Sequence, residues 1–79
     1  MSILTVIFSR ILGVEEEKII PELSPENAPS WDSLNAIILM TEIEKAFDVK
    51  FTFDEAMAVK NFDDVVKLIQ SKDKDPNLV

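Results

Sequence analysis

The longest regular pattern of apolar residues lies between Ser33 and Phe47, a segment that contains no Gly or Pro. Four of its apolar residues are spaced i, i+4, i+7 and i+11: Ala36, Met40, Ile43 and Phe47. At about 100° of rotation per residue, this spacing forms a single stripe along a helix. Leu39 and Ala46 fall beside the stripe. The pattern therefore predicts a helix over residues 33–47 whose stripe faces a core.

Two large apolar residues, Leu34 and Ile38, fall on the opposite side of the predicted helix. The polar residues on that side are Asn35, Thr41, Glu42 and Lys45. Leu34 and Ile38 lie one turn apart and form a small apolar strip with no evident core to enter. Either another helix or a loop covers this strip, or a partner protein docks on it. The sequence leaves both interpretations open.

Helical spacing also marks both ends of the chain. The first apolar face consists of Ile3, Leu4, Ile7, Phe8 and Ile11. Ser2 suits the N-cap of this helix, and Gly13 suits its end.

Asn61 suits the N-cap of a last helix. The inward stripe of that helix comprises Phe62, Val65, Val66 and Ile69, with Leu68 at its edge. Residues 71–79 are mostly polar, which predicts a frayed tail.

A long loop is predicted between the first two helices. Pro21, Pro25 and Pro29 recur every four residues and exclude a regular helix there. Three apolar residues are expected to pack this loop onto the helices: Ile19, Ile20 and Leu23. The charged run of residues 15–18 is expected to be solvated.

Three apolar residues after the second helix alternate with polar ones, which is the period of a strand: Val49, Phe51 and Phe53. A lone strand leaves its backbone hydrogen-bonding groups unpaired, so we expect an extended connector whose aromatic side chains enter the core. Thr52 and Glu55 fit the capping box of a short helix over residues 54–59. The pattern predicts an all-α fold: a small four-helix bundle with a long loop between helices one and two and a short third helix.

The composition argues against several classes of function. Fifteen acidic and eight basic residues give a net charge of −7, and no basic stripe is present to bind nucleic acid. An acidic surface favours encounter with basic proteins. The chain has no Cys, no His and a single Gly, so it lacks the usual catalytic nucleophile, general base, metal ligand and Gly-rich phosphate loop. We therefore expect neither an enzyme nor a metal site.

The length and the hydropathy of the chain indicate its number of domains and its location. At 79 residues the chain is expected to be one domain over residues 1–79 and to be a monomer. Its longest apolar run, Ala36–Met40, is far shorter than the roughly 20 residues of a membrane span. The first twelve residues lack the early positive charge and the cleavage site of a signal peptide. These features favour a cytoplasmic protein.

Ser33 stands at the start of the second helix, where two roles are available to it. Serine is a preferred N-cap, because its hydroxyl accepts a hydrogen bond from a backbone N–H of the first turn. The reciprocal Glu or Gln of a capping box is absent, since Ala36 occupies that position. A phosphate esterified to Ser33 would also lie in the favourable field of the helix N-terminus. Spacing alone favours the cap.

The chain resembles the acyl carrier proteins and their peptidyl carrier relatives over nearly its whole length. The resemblance is carried by Asp32-Ser33-Leu34 and by Ile43-Glu44-Lys45-Ala46-Phe47 near the end of the second helix. Leu12-Gly13-Val14 resembles the close of the family's first helix, and the loop from there to Asp32 has the family's usual length. Phe47-Asp48-Val49 and residues 61–69 fit as well.

This resemblance implies that Ser33 carries 4′-phosphopantetheine, donated by coenzyme A, with Asp32 and Leu34 flanking the attachment site. The terminal thiol of that group holds acyl or aminoacyl cargo as a thioester. The partners implied are a phosphopantetheinyl transferase and the enzymes that load and process the cargo, in fatty acid, polyketide or related biosynthesis. The residues expected to dock these partners are Leu34, Asn35, Ile38, Thr41, Glu44 and Lys45.

The chain departs from the family pattern in two places. Pro29-Ser30-Trp31 precedes Asp32, where the family often has a Gly. The outer face of the family's second helix is commonly rich in acids. This chain keeps Asp32 and Glu44, but its other outer positions carry Asn35, Ile38, Thr41 and Lys45. Apolar contact is therefore expected to contribute more to partner binding here than charge does.

A second class of function also fits the composition. An unmodified acidic helical module that recruits or inhibits a basic partner explains the charge and the apolar strip of Leu34 and Ile38 without any cofactor. It does not explain why Asp32-Ser33-Leu34 coincides with the start of the second helix.

Overall fold

The computed structural model describes residues 3–72. Within this range the chain forms four α-helices: α1 Ile3–Leu12, α2 Ser33–Phe47, α3 Phe53–Ala58 and α4 Phe62–Ser71. A 3-10 turn over Glu16–Lys18 lies in the loop between α1 and α2. No strand occurs in the described range. The predicted all-α bundle, its long loop and its short third helix are confirmed. The N-cap predicted at Ser2 and residues 73–79 of the predicted tail lie outside the described residues.

Phe8 of α1 is fully buried and makes two edge-on aromatic contacts. Its ring centroid lies 5.3 Å from that of Trp31, with the planes at 79°. The centroid of Phe62 lies 4.9 Å away, with the planes at 84°. Edge-to-face pairs are worth about 0.5–1.5 kcal/mol each beyond the area they bury. Phe8 therefore joins α1 both to the end of the loop and to the first residue of α4.

The inward face of α2 is centred slightly away from the predicted stripe. The buried residues of this helix are Leu39, Ile43 and Phe47. Ala36, Met40 and Ala46 are half-buried and pack against them. Leu39, expected only beside the stripe, is in fact at its centre. α2 ends at Phe47, as predicted, because Asp48 adopts the left-handed conformation with φ 55° and donates its backbone N–H to the Glu44 carbonyl.

The ends of α1 and α4 are also formed as predicted. Gly13 adopts φ 67°, and its N–H donates to the Ser9 carbonyl at 2.9 Å. Glycine adopts a positive φ without the steric cost that a side chain brings, which explains the end of α1 at this point. Asn61 caps α4 by accepting a hydrogen bond from the Asp64 N–H at 2.8 Å. Val65 and Ile69 of α4 are fully buried.

Backbone hydrogen bonds fasten the long loop to the helices. The N–H groups of Phe62 and Asp63, at the start of α4, donate to the carbonyls of Leu23 and Pro21 at 2.8 and 3.1 Å. Leu23 is buried, as predicted, but Ile20 is exposed, so the expectation that it packs onto the helices is wrong. The loop is held here by its backbone and by Leu23, which leaves Ile20 on the outside.

The charged run of residues 15–18 is only partly solvated. Three of its side chains are exposed, but Glu16 is half-buried. One of its carboxylate oxygens is enclosed and has no hydrogen-bond partner within residues 3–72. The 3-10 turn, which the sequence pattern did not indicate, directs this side chain inward.

The connector between α2 and α3 is extended, as predicted, and Val49 is buried. Phe51 packs against the core, but Phe53 is 76% exposed, so the expectation that it enters the core is wrong. The alternating pattern stops at Thr52, because its hydroxyl accepts the Glu55 N–H at 3.1 Å and starts α3. Phe53 is therefore the first helical residue, and the period of the extended connector no longer sets its direction.

α3 is held at its ends and not by burial. None of its six residues is buried. The predicted capping box is complete, since Glu55 accepts the Thr52 N–H at 2.8 Å in return. The other Glu55 carboxylate oxygen lies 2.9 Å from Nζ of Lys72, just past the end of α4. The backbone hydrogen bond from Thr52, and then the hydrogen bond from Lys72, lower the pKa of Glu55 below its ordinary value of 4.5.

Phe8 and Phe53 form a matched pair for a test of the core. We expect Phe8→Ala to lower the free energy of unfolding by about 3–5 kcal/mol, since a buried aromatic leaves a cavity. Phe53→Ala should change it by less than about 0.5 kcal/mol. Urea unfolding followed by circular dichroism measures both. The total free energy of unfolding of a chain of this size is roughly 4–12 kcal/mol, so the loss in Phe8→Ala is a large part of it. Phe8→Leu therefore serves as a milder variant. Equal losses at the two positions would contradict the central role of Phe8.

Glu55 should give an acid-dependent contribution to stability. Its pKa in the folded state is lowered, so its ionised form stabilises the fold, and this contribution is lost as the pH falls through that pKa, below 4.5. We expect the melting temperature of Glu55→Gln to lie below that of the wild type near neutral pH, and the difference to close in acid. Asp54→Asn, in the same helical turn, is the control and should show no such pattern. A difference that persists unchanged in acid would contradict the prediction.

Candidate functional site

The N-cap of α2 is Asp32, and not Ser33, which spacing alone favours for this role. Asp32 has extended backbone angles, and its Oδ1 accepts the backbone N–H of Asn35 at 2.9 Å. Its backbone carbonyl accepts the N–H of Ala36 at 2.8 Å. Ser33 is the first residue with helical geometry. Asp and Ser are similarly good caps, so the composition of the motif alone could not decide between them.

The Ser33 side chain is left without a structural task. It is exposed, and its hydroxyl makes no hydrogen bond within residues 3–72. The other serine of this region, Ser30, is half-buried, and its hydroxyl donates to the Leu12 carbonyl at 2.7 Å. Of these two serines, only Ser33 presents an accessible hydroxyl. It does so at a helix N-terminus, whose free N–H groups and dipole favour negative charge nearby.

The turn that precedes Ser33 is held on both sides. Trp31 is buried against Phe8. The Asp32 N–H donates to the Ser30 carbonyl at 3.0 Å. The same carbonyl accepts Nδ2 of Asn35 at 2.7 Å. This turn closes without the Gly that the family often has, and the Asn35 side chain, predicted as a docking group, braces it.

Three apolar side chains of α2 are exposed close to Ser33. Leu34 is 67% exposed, Ile37 is 66% exposed and Ile38 is 39% exposed. We call this set the apolar face of α2. The docking interpretation placed Leu34 and Ile38 here but missed Ile37. The helical repeat could have found it, because Ile37 lies one turn from Leu34 on the border of the buried stripe.

The remaining predicted docking residues lie toward the end of α2. Thr41 is exposed, and its hydroxyl donates to the Ile37 carbonyl at 2.9 Å. Glu44 is half-buried, and its Oε2 accepts the Phe51 N–H at 2.8 Å, which ties the connector to α2. Nζ of Lys45 lies 3.8 Å from Oε2 of Glu42. A shallow groove of about 380 Å³ is lined by Thr41, Glu44, Lys45, Asp48, Val49 and Lys50. The structure thus brings three predicted docking residues together in one groove, apart from the apolar face.

The described residues offer little other chemistry. Residues 3–72 contain no group of three or more acidic side chains placed to hold a metal ion. None of their helices is both long enough and apolar enough to cross a membrane. The Ser33 hydroxyl, at the start of α2, is exposed and makes no hydrogen bond within this range.

Comparison with known proteins decides the family. The sequence profile of the family described as "Phosphopantetheine attachment site" matches residues 2–69. The chain belongs to the acyl carrier protein family. It is 42% identical over 59 residues to an acyl carrier protein of Karelsulcia muelleri, an alignment that covers 75% of this chain and 71% of the relative.

Two further relatives have the same description. An acyl carrier protein of Thermosynechococcus vestitus is 34% identical over 61 residues, which cover 77% of this chain and 75% of the relative. An acyl carrier protein of Desulforapulum autotrophicum is 31% identical over 67 residues, which cover 85% of this chain and 87% of the relative. Members of this family are carriers and not catalysts, and they hold 4′-phosphopantetheine covalently. This carrier therefore takes that cofactor, and the alternative of an unmodified acidic module is set aside.

The residues at the start of α2 suit the cofactor. A phosphodiester link needs an accessible hydroxyl, and the side chain of Ser33 is exposed with no hydrogen bond to break. The link brings a negative charge, which the first turn of α2 favours. The cofactor supplies the thiol that this Cys-free chain lacks. Ser33 would offer that group a fixed position, because the turn before it is braced by Trp31 and Asn35.

The assignment of the cap to Asp32 gives a stability test. We expect Asp32→Ala to lower the free energy of unfolding by about 1 kcal/mol, because the Asn35 N–H loses its acceptor. Asp32→Asn should lose less, since Asn is an equally good cap. Ser33→Ala should change the value by less than about 0.5 kcal/mol. Urea unfolding measures all three. A greater loss in Ser33→Ala than in Asp32→Ala would show that Ser33 is the cap.

Proposed function

We propose that Ser33 is the attachment point of 4′-phosphopantetheine and that residues 1–79 act as a single domain that carries cargo as a thioester. The observation that carries this proposal is the division of tasks at the start of α2. Asp32 takes the capping hydrogen bond and leaves the adjacent, exposed Ser33 hydroxyl free. The family membership supports the same assignment, because the matched residues include this position.

Attachment is a transfer from coenzyme A catalysed by a phosphopantetheinyl transferase. The Ser33 hydroxyl oxygen forms a bond to the phosphorus next to the pantetheine portion. The pyrophosphate bond of coenzyme A breaks, and adenosine 3′,5′-bisphosphate leaves. The proton of the hydroxyl passes to a base of the transferase, since this chain has no His to accept it. The carrier contributes the accessible nucleophile and its fixed position.

The cargo is proposed to be an acyl group, in fatty acid or polyketide biosynthesis or a related pathway. The relatives' description as acyl carrier proteins favours an acyl over an aminoacyl group. The proposed partners are the transferase and the enzymes that load and process the cargo. Asp32 and Leu34 flank the attachment point. The proposed docking residues are Leu34, Asn35, Ile38, Thr41, Glu44 and Lys45.

The proposed docking residues differ in the contacts that they make within the fold. Asn35 and Glu44 each have a hydrogen bond within the fold, so their replacement would disturb the carrier itself. Leu34 has no such task, and Ile38 is only partly covered. Lys45 is largely exposed and supplies the one positive charge of the set.

Loading by a transferase tests the attachment site. We expect the wild type to gain one phosphopantetheine when it is incubated with coenzyme A and a promiscuous phosphopantetheinyl transferase, as read by intact mass. Ser33→Ala should gain none, with an unchanged circular dichroism spectrum. Ser30→Ala is the matched control and should still be loaded, although it loses the hydrogen bond to the Leu12 carbonyl. Loading of Ser33→Ala, or of Ser30 in the wild type, would refute the assignment.

A further inference from the structure

Three hydrogen bonds close a ring around Ser33 that its own side chain does not join. The Asp32 N–H donates to the Ser30 carbonyl at 3.0 Å. The Asn35 N–H donates to Oδ1 of Asp32 at 2.9 Å. Nδ2 of Asn35 then donates to the Ser30 carbonyl at 2.7 Å. Each of these three residues is therefore bonded to the other two, and Ser33 lies within the segment that they enclose.

The side chain of Asn35 makes the closest contact in this ring. A carbonyl oxygen can accept two hydrogen bonds, and that of Ser30 accepts one from Asp32 and one from Asn35. The first joins residues only two apart and closes a three-residue turn. The second is the shorter of the two and reaches from α2 back across that turn. Only this second bond ties the turn to the helix through a side-chain donor.

This use of Asn35 differs from an ordinary capping box. In α3 the equivalent residue is Glu55, which accepts the N–H of the capping residue Thr52 at 2.8 Å. In α2 the N–H of the cap donates to Ser30 instead, and Asn35 donates to the same oxygen. The Asn35 amide therefore holds the residues before the cap and not the cap itself.

The position of Ser33 depends on this ring, because nothing else holds its side chain. The Ser33 hydroxyl makes no hydrogen bond within the described part of the chain. Its location is set by the backbone of the first turn of α2, which Asn35 ties to the preceding residues. Group transfer requires the nucleophile to lie close to the reacting atom and aligned with it, and small misplacements lower the rate.

We infer that Asn35 is a positioning residue for the transfer to Ser33, acting from inside the carrier through its hydrogen bond to the Ser30 carbonyl. The inference rests on the proposed attachment at Ser33. Asn35 also stands among the proposed docking residues, and the two roles predict different kinetics. Loss of a docking contact raises the KM for the carrier, whereas loss of positioning lowers kcat and leaves that KM unchanged.

The test compares Asn35→Ala with Asn27→Ala. Asn27 is the matched control, because its Nδ2 donates to the Glu22 carbonyl at 3.1 Å and its Oδ1 accepts the Ser24 N–H at 2.9 Å. Its side chain thus also braces a turn, but through bonds that lie outside the ring. Asn27→Ala loses two hydrogen bonds, whereas Asn35→Ala loses one and keeps its backbone bond to Asp32. A general effect of lost bonds would therefore appear in the control at least as strongly.

Loading is measured with a promiscuous phosphopantetheinyl transferase and coenzyme A over a range of carrier concentrations, with intact mass as the readout. We expect Asn35→Ala to lower kcat about three- to tenfold, the factor that corresponds to one hydrogen bond. Its KM should equal that of the wild type. Asn27→Ala should match the wild type in both kcat and KM. Circular dichroism checks that both variants are folded.

Nuclear magnetic resonance of the unloaded carrier provides a readout that needs no transferase. The order parameter of the Ser33 backbone N–H should lie near that of rigid backbone, about 0.85, in the wild type and in Asn27→Ala. It should be lower in Asn35→Ala, because the first turn of α2 is then no longer tied to Ser30. An order parameter that is equal in all three proteins would overturn the inference.

The kinetic outcomes decide the inference in the same way. A higher KM with unchanged kcat in Asn35→Ala would overturn it and make Asn35 a docking contact. Equal slowing in both variants would overturn it as well, because lost stability would then account for the effect. In either case, loading of the wild type at Ser33 would leave the attachment site intact. If the wild type is not loaded at all, the proposed function fails and the inference falls with it.

Discussion

The edge-on contact of Phe8 with Trp31 and Phe62 is the interaction on which the rest of the fold depends. It joins three segments that are far apart in the sequence: α1, the end of the long loop and the start of α4. Trp31 immediately precedes the Asp32 cap and Ser33, so this contact holds the residue next to the start of α2 against α1. A loop of about twenty residues would otherwise have a high conformational entropy. Ser33, the proposed attachment point, has a fixed position because this loop is packed at its end.

The sequence predicted the helices more reliably than it predicted individual side chains. Local chemistry sets the bounds of α2, the end of α1 at Gly13 and the caps at Thr52 and Asn61. The periodic pattern and the cap residues indicate these features directly in the sequence. Spacing alone favours Ser33 over Asp32 as the cap of α2, because two good capping residues are adjacent. The choice between them depends on where the backbone becomes helical: Asp32 is still extended, and Ser33 is the first helical residue.

The errors at Ile20, Phe53 and Ile37 have a related cause. A periodic pattern states which face a residue occupies only while one type of secondary structure continues. Phe53 follows an extended connector but is the first residue of a helix, so its direction changes. Ile20 lies in an irregular loop, where no period applies. Ile37 stands at the edge of the stripe, one turn from Leu34, where the helical repeat separates the exposed side from the buried side only narrowly.

The anchoring of α3 at its ends has a consequence for the motions of this carrier. Because none of its residues is buried, separating α3 from the bundle exposes little apolar area and costs little free energy. Segments of this kind open independently of global unfolding and exchange their amide hydrogens sooner than the core helices do. The bundle is therefore divided into a stable frame, with α1, α2 and α4 packed on the core, and one short helix that opens first. The contact of Lys72 with Glu55 and the capping box at Thr52 both oppose that opening.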